Sequence, residues 1–171
     1  MGSHAEQVMT LLQEHFGKKP IVGVEIGTGP ACVTQAILML PNVVRLYTID
    51  PYTHRPGEDF EAGNHDQYRH NYAMREALER LRPYRQRYIL CVQTSDLSAE
   101  FVAEPVDFVW IDGHHEHGQV RRDIENYEPK IKPGGLIGGH DYGLGAQVEL
   151  VIDTIYPEVT LGDDFTWWVL L

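Results

Sequence analysis

The chain has 171 residues, 43% of them apolar, and a formal net charge of -11. That length suits one domain, spanning residues 1–171, that buries a core without staples, and the apolar fraction excludes a disordered chain. No run approaches the roughly 18 uninterrupted apolar residues of a membrane span, and the acidic balance disfavours nucleic acid as a partner.

The opening MGSHAEQ lacks the charged-then-apolar pattern of a secretory leader, so a cytoplasmic location is expected. Gly2, Ser3 and His4 suit a natural start and a cloning remnant equally. Val8 to Phe16 has helical apolar spacing and stops at Gly17. IVGVEI, Ile21 to Ile26, reads as a strand and runs into GTGP. A helix over Ala31–Leu40, stopped by Pro41, and a strand over Val43–Asp50 follow. Residues 51–63 are rich in Pro, Gly and charge, which predicts a loop; the segment 51–64 is a substrate-side lid or a solvated stretch. A polar-faced helix is expected over Asn64–Leu81, ending before Pro83. Arg and Lys gather between Arg75 and Arg87, but Glu76 and Glu79 stand among them, as on a solvated helix face.

YILCVQ, from Tyr88 to Gln93, gives a third strand and Val106–Ile111 a fourth. A helix over His117–Tyr127, a strand over Leu136–Gly139 and a helix over Gln147–Ile155 come next. The chain then closes with Val159–Leu161 and the apolar run FTWWVLL, separated by Gly162, Asp163 and Asp164. That gap is too short for a crossover helix, so a hairpin is expected, with one reversed strand. Strands that are apolar throughout and alternate with helices predict an α/β fold. It is a doubly wound, Rossmann-like, seven-stranded and mostly parallel sheet with an antiparallel last strand and helices on both faces. Cys32 and Cys91 sit in or beside apolar segments, which predicts buried free thiols and no disulfide. Trp167 and Trp168 must point to opposite faces of the last strand. Nothing in the composition limits self-association, and a homo-oligomer is compatible with it.

Two loops carry the chemistry. In VEIGTGPA, Gly27, Thr28 and Gly29 follow the first strand and precede a helix, where glycine permits a tight turn and close ligand approach. Asp50 ends the next strand, where a carboxylate accepts the hydroxyl protons of a ribose. A merely structural turn is the bland reading; with Asp50 in place, a nucleoside cofactor is favoured. A dinucleotide fingerprint needs a third glycine where Cys32 stands. Glu25 also repels a diphosphate but suits an ammonium or a sulfonium, which points to S-adenosylmethionine over NAD.

The pieces VEIGTGPA, YTID and QTSD, with the long segment VDFVWIDGHHEHGQVRRDIENYEPKIKPGGLIGGHDYG, resemble the class I S-adenosylmethionine-dependent methyltransferases. The long segment is similar to a small-molecule O-methyltransferase group, often metal-dependent, with DGxH after strand four and KPGG…HD around strand five. The resemblance covers roughly Val22 to Leu171. It implies that Glu25, Gly27, Thr28 and Gly29 hold the methionine end and Asp50 the ribose, with Ser95 and Asp96 lining the adenine region. It further implies that Asp112, which also borders the cofactor, and Asp141 are acidic metal or catalytic positions with His140 beside them. Ala31 departs from the pattern, standing where many members carry a third glycine.

The residues alone allow the same chemistry. Methyl transfer from sulfonium asks the protein for an oriented, deprotonated nucleophile, made by an imidazole or by a divalent cation. Asp112, Asp141 and His140 are the metal set for Mg2+. Asp112, His140 and His115 are the catalytic set, with His140 ahead of His115 as base on position. His114 shares that loop, and for His117 a capping or surface role competes. Asp112 can also serve its turn through backbone hydrogen bonds. Asp123 and Glu125 are expected to pair with Arg121 or Arg122 on a solvated face, and Trp110 to flank adenine. The acceptor expected is a small hydroxylated molecule, sugar-like or catechol-like, with specificity from residues 52–64, the first helix and the loop 142–145. A metal hydrolase using Asp112, His114, His140 and Asp141 is the rival reading, and a catalytically silent cofactor-binding protein the third.

Overall fold

The computed structural model describes residues 3–53, 67–144 and 147–171. Its strands are β1 (Ile21–Ile26), β2 (Val43–Ile49), β3 (Tyr88–Cys91), β4 (Val106–Ile111), β5 (Ile131–Gly139), β6 (Thr160–Leu161) and β7 (Trp167–Leu170). Its helices are α1 (Ser3–Phe16), α2 (Cys32–Met39), α3 (Gln67–Leu81), α4 (Ser95–Ser98), α5 (His117–Tyr127) and α6 (Gln147–Ile155). One sheet contains all seven strands in the order β3-β2-β1-β4-β5-β7-β6. All neighbours from β3 to β5 pair parallel, and β7 runs antiparallel to both β5 and β6.

Two apolar cores explain why the inner strands are apolar at successive positions. Phe108 and Trp110 pack with Val8, Leu12, Ile37 and Leu81 on the side of α1, α2 and α3. Val109 and Ile111 pack with Val120, Ile124, Val151 and Ile152 on the side of α5 and α6. Trp167 is buried in the second core and Trp168 packs on the first, the opposite-face arrangement that the strand period requires. Trp110 is likewise core, 1% exposed, and so does not flank a ligand as expected.

Several boundaries differ from expectation, each for a local reason. β5 starts at Ile131 because the KPGG segment does more than turn: Gly134 N–H donates to the Leu171 carbonyl at 2.6 Å, and Leu171 N–H to Gly135 at 3.0 Å. β7 starts at Trp167 because Asp164 and Phe165 adopt positive φ angles of 57° and 60°, which lengthens the hairpin connection. β3 stops at Cys91, and Thr94 then caps α4 by accepting from Leu97 N–H. The expected lid lies mostly outside the described residues, as do positions 145–146. Both cysteines are free, but Cys32 is exposed and Cys91 half-buried, because both sit at the rim and not inside either core.

Candidate active site

Strand order reverses between β1 and β4: the chain builds outward to β2 and β3, then crosses back to β4 and β5. At such a switch point two loops diverge and leave a crevice beyond the carboxyl ends of the strands. Ile26 pairs with Ile111, and Asp112 N–H donates to the Ile26 carbonyl at 2.8 Å. Gly27 has φ 96°, and a Cβ there would lie 2.0 Å from the Asp112 carbonyl oxygen, so only glycine fits between the loops. The loops following Glu25 and Ile111 therefore open side by side onto a cavity of about 630 Å³.

On the β1 side, Gly27, Thr28 and Gly29 line this cavity with Asp50. Asp50 accepts from Gly29 N–H through Oδ2 and from Tyr52 N–H through Oδ1, both at 2.8 Å. Burial raises its pKa, and these two bonds oppose the rise. Each oxygen keeps a further acceptor site for a ligand hydroxyl. Ala31 takes φ 61°, the left-handed geometry a third glycine would supply, at a cost of about 1–2 kcal/mol.

Glu25 lies below the cavity floor, fully buried and not lining it. Its Oε2 accepts from Thr34 Oγ1 at 2.6 Å and Thr48 Oγ1 at 2.8 Å, and Thr48 is 2.6 Å from Thr28 Oγ1. Its Oε1 has no hydrogen-bond partner among the described residues. Burial pushes the carboxyl up to about 8, with the two threonine bonds pulling the other way. Glu25 is thus coupled to the turn through threonine hydroxyls, and its burial favours the protonated form.

Across the cleft, Asp112, His114 and His115 line the same cavity. Asp141 joins two imidazoles: Oδ2 is 2.6 Å from His115 Nε2 and Oδ1 is 3.0 Å from His140 Nδ1. Burial would raise the Asp141 pKa, yet the bonds to the two histidines hold it well below the usual carboxylate range. The same contact raises His115, while for His140 burial works downward and Asp141 with Asp112 overrides it. Burial drives Asp112 up to about 6, against the pull of His140.

Ligand atoms of Asp112, His115 and Asp141 all lie within 4.8 Å of one another, as do those of His4, His140 and Asp164. His115 therefore stands with the two carboxylates where the sequence pointed to His140. His140, 15% exposed at its side chain, sits 3.8 Å from Asp112 and stacks near His4 with ring centroids 4.6 Å apart. His117 opens α5, where its backbone N–H donates to Gln147 Oε1, and its side chain does not line the cavity.

The third wall comes from α4 and α5. Ser95 and Asp123 are buried there and line the cavity. Asp96 is exposed and faces away, accepting from Asn126 Nδ2 at 3.0 Å with Arg122 Nε at 3.5 Å. Asp123 contradicts the surface reading: Ser95 and Gln119 claim it, while Glu125 makes the expected exposed pair with Arg121 at 3.9 Å. No signal in RRDIENYE distinguishes the buried acid; its position one turn after Gln119 matters only once α4 packs against α5. His4 was equally invisible, because nothing local to the first helix points to strand ends more than a hundred residues away.

With this geometry established, a family model described as a methyltransferase domain matches residues 22–142. The chain belongs to the methyltransferase domain family. Its fold is that of the class I S-adenosylmethionine-dependent methyltransferases, related to small-molecule O-methyltransferases and to rRNA methylases. The O-methyltransferase TomG of Streptomyces achromogenes, solved with S-adenosylmethionine, is 13% identical with a TM-score of 0.69, covering 99% of this chain and 80% of that one. An rRNA methylase of Streptococcus thermophilus is 13% identical with a TM-score of 0.63, covering 96% and 92%. A precorrin 8W decarboxylase of Methanobacterium thermoautotrophicum is 19% identical with a TM-score of 0.64, covering 100% and 88%. At such identities the likeness establishes the fold and not the reaction. No curated protein matches the methyltransferase in sequence.

Proposed function

We propose that the protein transfers the methyl group of S-adenosylmethionine to a hydroxyl of a small molecule, with a divalent cation such as Mg2+ held by Asp112, His115 and Asp141. One observation carries the reading: Asp112 and His115 line the same cavity as the glycine turn and Asp50, with Asp141 completing the carboxylate–imidazole cluster directly behind them. Gly29 leaves open space at φ 48°, and Asp50 has acceptor sites to spare, so the turn fits a ribose-bearing donor. Two carboxylates and an imidazole within 4.8 Å form a donor set for a divalent cation.

S-adenosylmethionine supplies a methyl group already activated on a positively charged sulfur. A cation held by Asp112, His115 and Asp141 would supply Lewis-acid chemistry, making an acceptor hydroxyl easier to deprotonate. The rest is work for the chain. Asp50 and Gly27–Gly29 fix the donor, and Asp112 borders both donor and acceptor. His115 lines the cavity and would present the cation to the acceptor's side of it. His140, tied to Asp141 and set back from the cavity, orients that carboxylate.

A metal hydrolase would leave the glycine turn and Asp50 without a role. An RNA acceptor, as in the rRNA methylases of this fold, sits poorly with a net charge of -11 and an acidic cleft. Calorimetry with S-adenosylhomocysteine and NAD, paired with transfer assays on catechol and sugar acceptors, tests the reading. We expect S-adenosylhomocysteine to bind at roughly micromolar concentration and NAD not to bind. We expect transfer to stop on chelation and return with Mg2+ or Mn2+. Absent S-adenosylhomocysteine binding sinks the donor assignment, and full activity after chelation sinks the metal.

A further inference from the structure

Tyr52 follows Pro51 just past the end of β2, buried among the residues of the first core and with a φ of 47°. A positive φ is uncommon for a bulky side chain. Three hydrogen bonds hold it in place. Its Oη donates to the Gly29 carbonyl and its N–H to Asp50 Oδ1, both at 2.8 Å. Its carbonyl accepts from Nε2 of Gln67, the first residue of α3, at 3.0 Å. Asp50 Oδ2 in turn accepts from Gly29 N–H at 2.8 Å. Tyr52, Asp50 and Gly29 therefore form a closed ring of hydrogen bonds. Within it the peptides on both sides of Gly29 are pinned, one by its N–H and one by its carbonyl, which fixes both rotatable bonds of that glycine. Packing does not do this: a Cβ at Gly29 would meet no atom within 4 Å, and glycine has no steric preference of its own to restrain it.

We propose that Tyr52 is a positioning residue for the donor, setting the Gly29 backbone and the Asp50 carboxylate together in the geometry that grips a ribose. The proposal rests on the S-adenosylmethionine reading. Tyr52 does not line the cavity, whereas Gly29 and Asp50 do, so it acts through those two groups and not by touching the donor. Each Asp50 oxygen is engaged by one backbone N–H, which fixes the carboxylate plane and leaves an acceptor site on each oxygen for a ribose hydroxyl. Removing the phenol hydroxyl frees the Gly29 carbonyl to turn. The N–H of the same residue then no longer holds Oδ2 in register, and the carboxylate loses its alignment. Burial raises the pKa of the phenol, with Asp50 adding to the rise, so the group stays protonated and able to donate.

The test compares S-adenosylhomocysteine with its 2′,3′-dideoxy analogue by calorimetry, on the wild type and on Tyr52→Phe. The substitution removes one hydroxyl and should weaken S-adenosylhomocysteine about 3- to 10-fold, the range for losing an uncharged hydrogen bond. The dideoxy analogue offers Asp50 no hydroxyl and should bind both proteins alike. This coupling separates alignment of Asp50 from a general loosening of the site, which would weaken the two ligands equally. In transfer assays the donor KM should rise by a similar factor, with kcat and the acceptor KM unchanged. If Tyr52→Phe does not fold, Gln67→Met, which removes the donor to the Tyr52 carbonyl, takes its place and should show the same selective loss. Unchanged S-adenosylhomocysteine affinity in the folded variant overturns the proposal while leaving the donor assignment intact. An equal loss for both ligands overturns it too. Failure of the wild type to bind S-adenosylhomocysteine removes this inference together with the reading beneath it.

Discussion

Asp141 touches both His115 and His140 and adopts a φ of 65°, a strained geometry for a residue with a side chain. Asp141→Asn should lower transfer at least about 100-fold while leaving S-adenosylhomocysteine affinity nearly unchanged, as paired kinetics and calorimetry will show. His140→Gln, which alters only the partner of that carboxylate, should cost about 10- to 100-fold in cation affinity or turnover. Glu25 offers a separate, pH-based check. Its pKa stands near 8 in the folded chain against 4.5 for an ordinary glutamate. The folded state therefore holds a proton that the unfolded state releases, and the group's contribution to stability fades as pH rises from about 4.5 through 8. Thermal melts of the wild type should fall across that range, whereas Glu25→Gln, which keeps an acceptor for Thr34 and Thr48, should flatten the profile. The difference at pH 8.5 is expected to be about a few kcal/mol. Asp50, Asp112 and Gly27 were legible in the sequence because each closes an apolar run, and a strand end fixes where its next residue goes. Asp123 was not legible, since its burial is made by another element.

Among elements, the strands announced themselves because a sheet covered on both faces leaves little room for polar alternation. α4 did not: a four-residue turn of SDLS has no periodicity to read, and it exists because Thr94 caps it and Tyr127 anchors it. The extension of β5 through two glycines was hidden for a similar reason, as its partner is the far end of the chain. The contact between the β1 and β4 loops is the element-level joint of the site. Gly27→Ala would push a methyl group to 2.0 Å from a carbonyl oxygen, at a φ of 96°. Neither obstacle yields to a side-chain rotation, so the variant should lose at least about 2 kcal/mol in urea unfolding. It should also lose S-adenosylhomocysteine binding, because the loops must part.

The whole molecule is acidic, and no helix among the described residues is long and apolar enough to cross a membrane. With a net charge of -11, retention of RNA on a filter at physiological salt should be negligible. Salt-sensitive retention would instead reopen the rRNA methylase comparison. The two cores divide the labour, one carrying α1 to α3 and the other α5 and α6, so the cavity is walled by helices from both faces. The reversed strand β7 has a further implication. It is synthesised after every other strand of the sheet, yet it sits between β5 and β6. The pairing of β3, β2, β1 and β4 does not involve it, but among the described residues the outer edge of β5 is covered by nothing else. Any state in which that hairpin is undocked therefore leaves the donor-side strands paired and the outer edge of β5 exposed to capture by another strand.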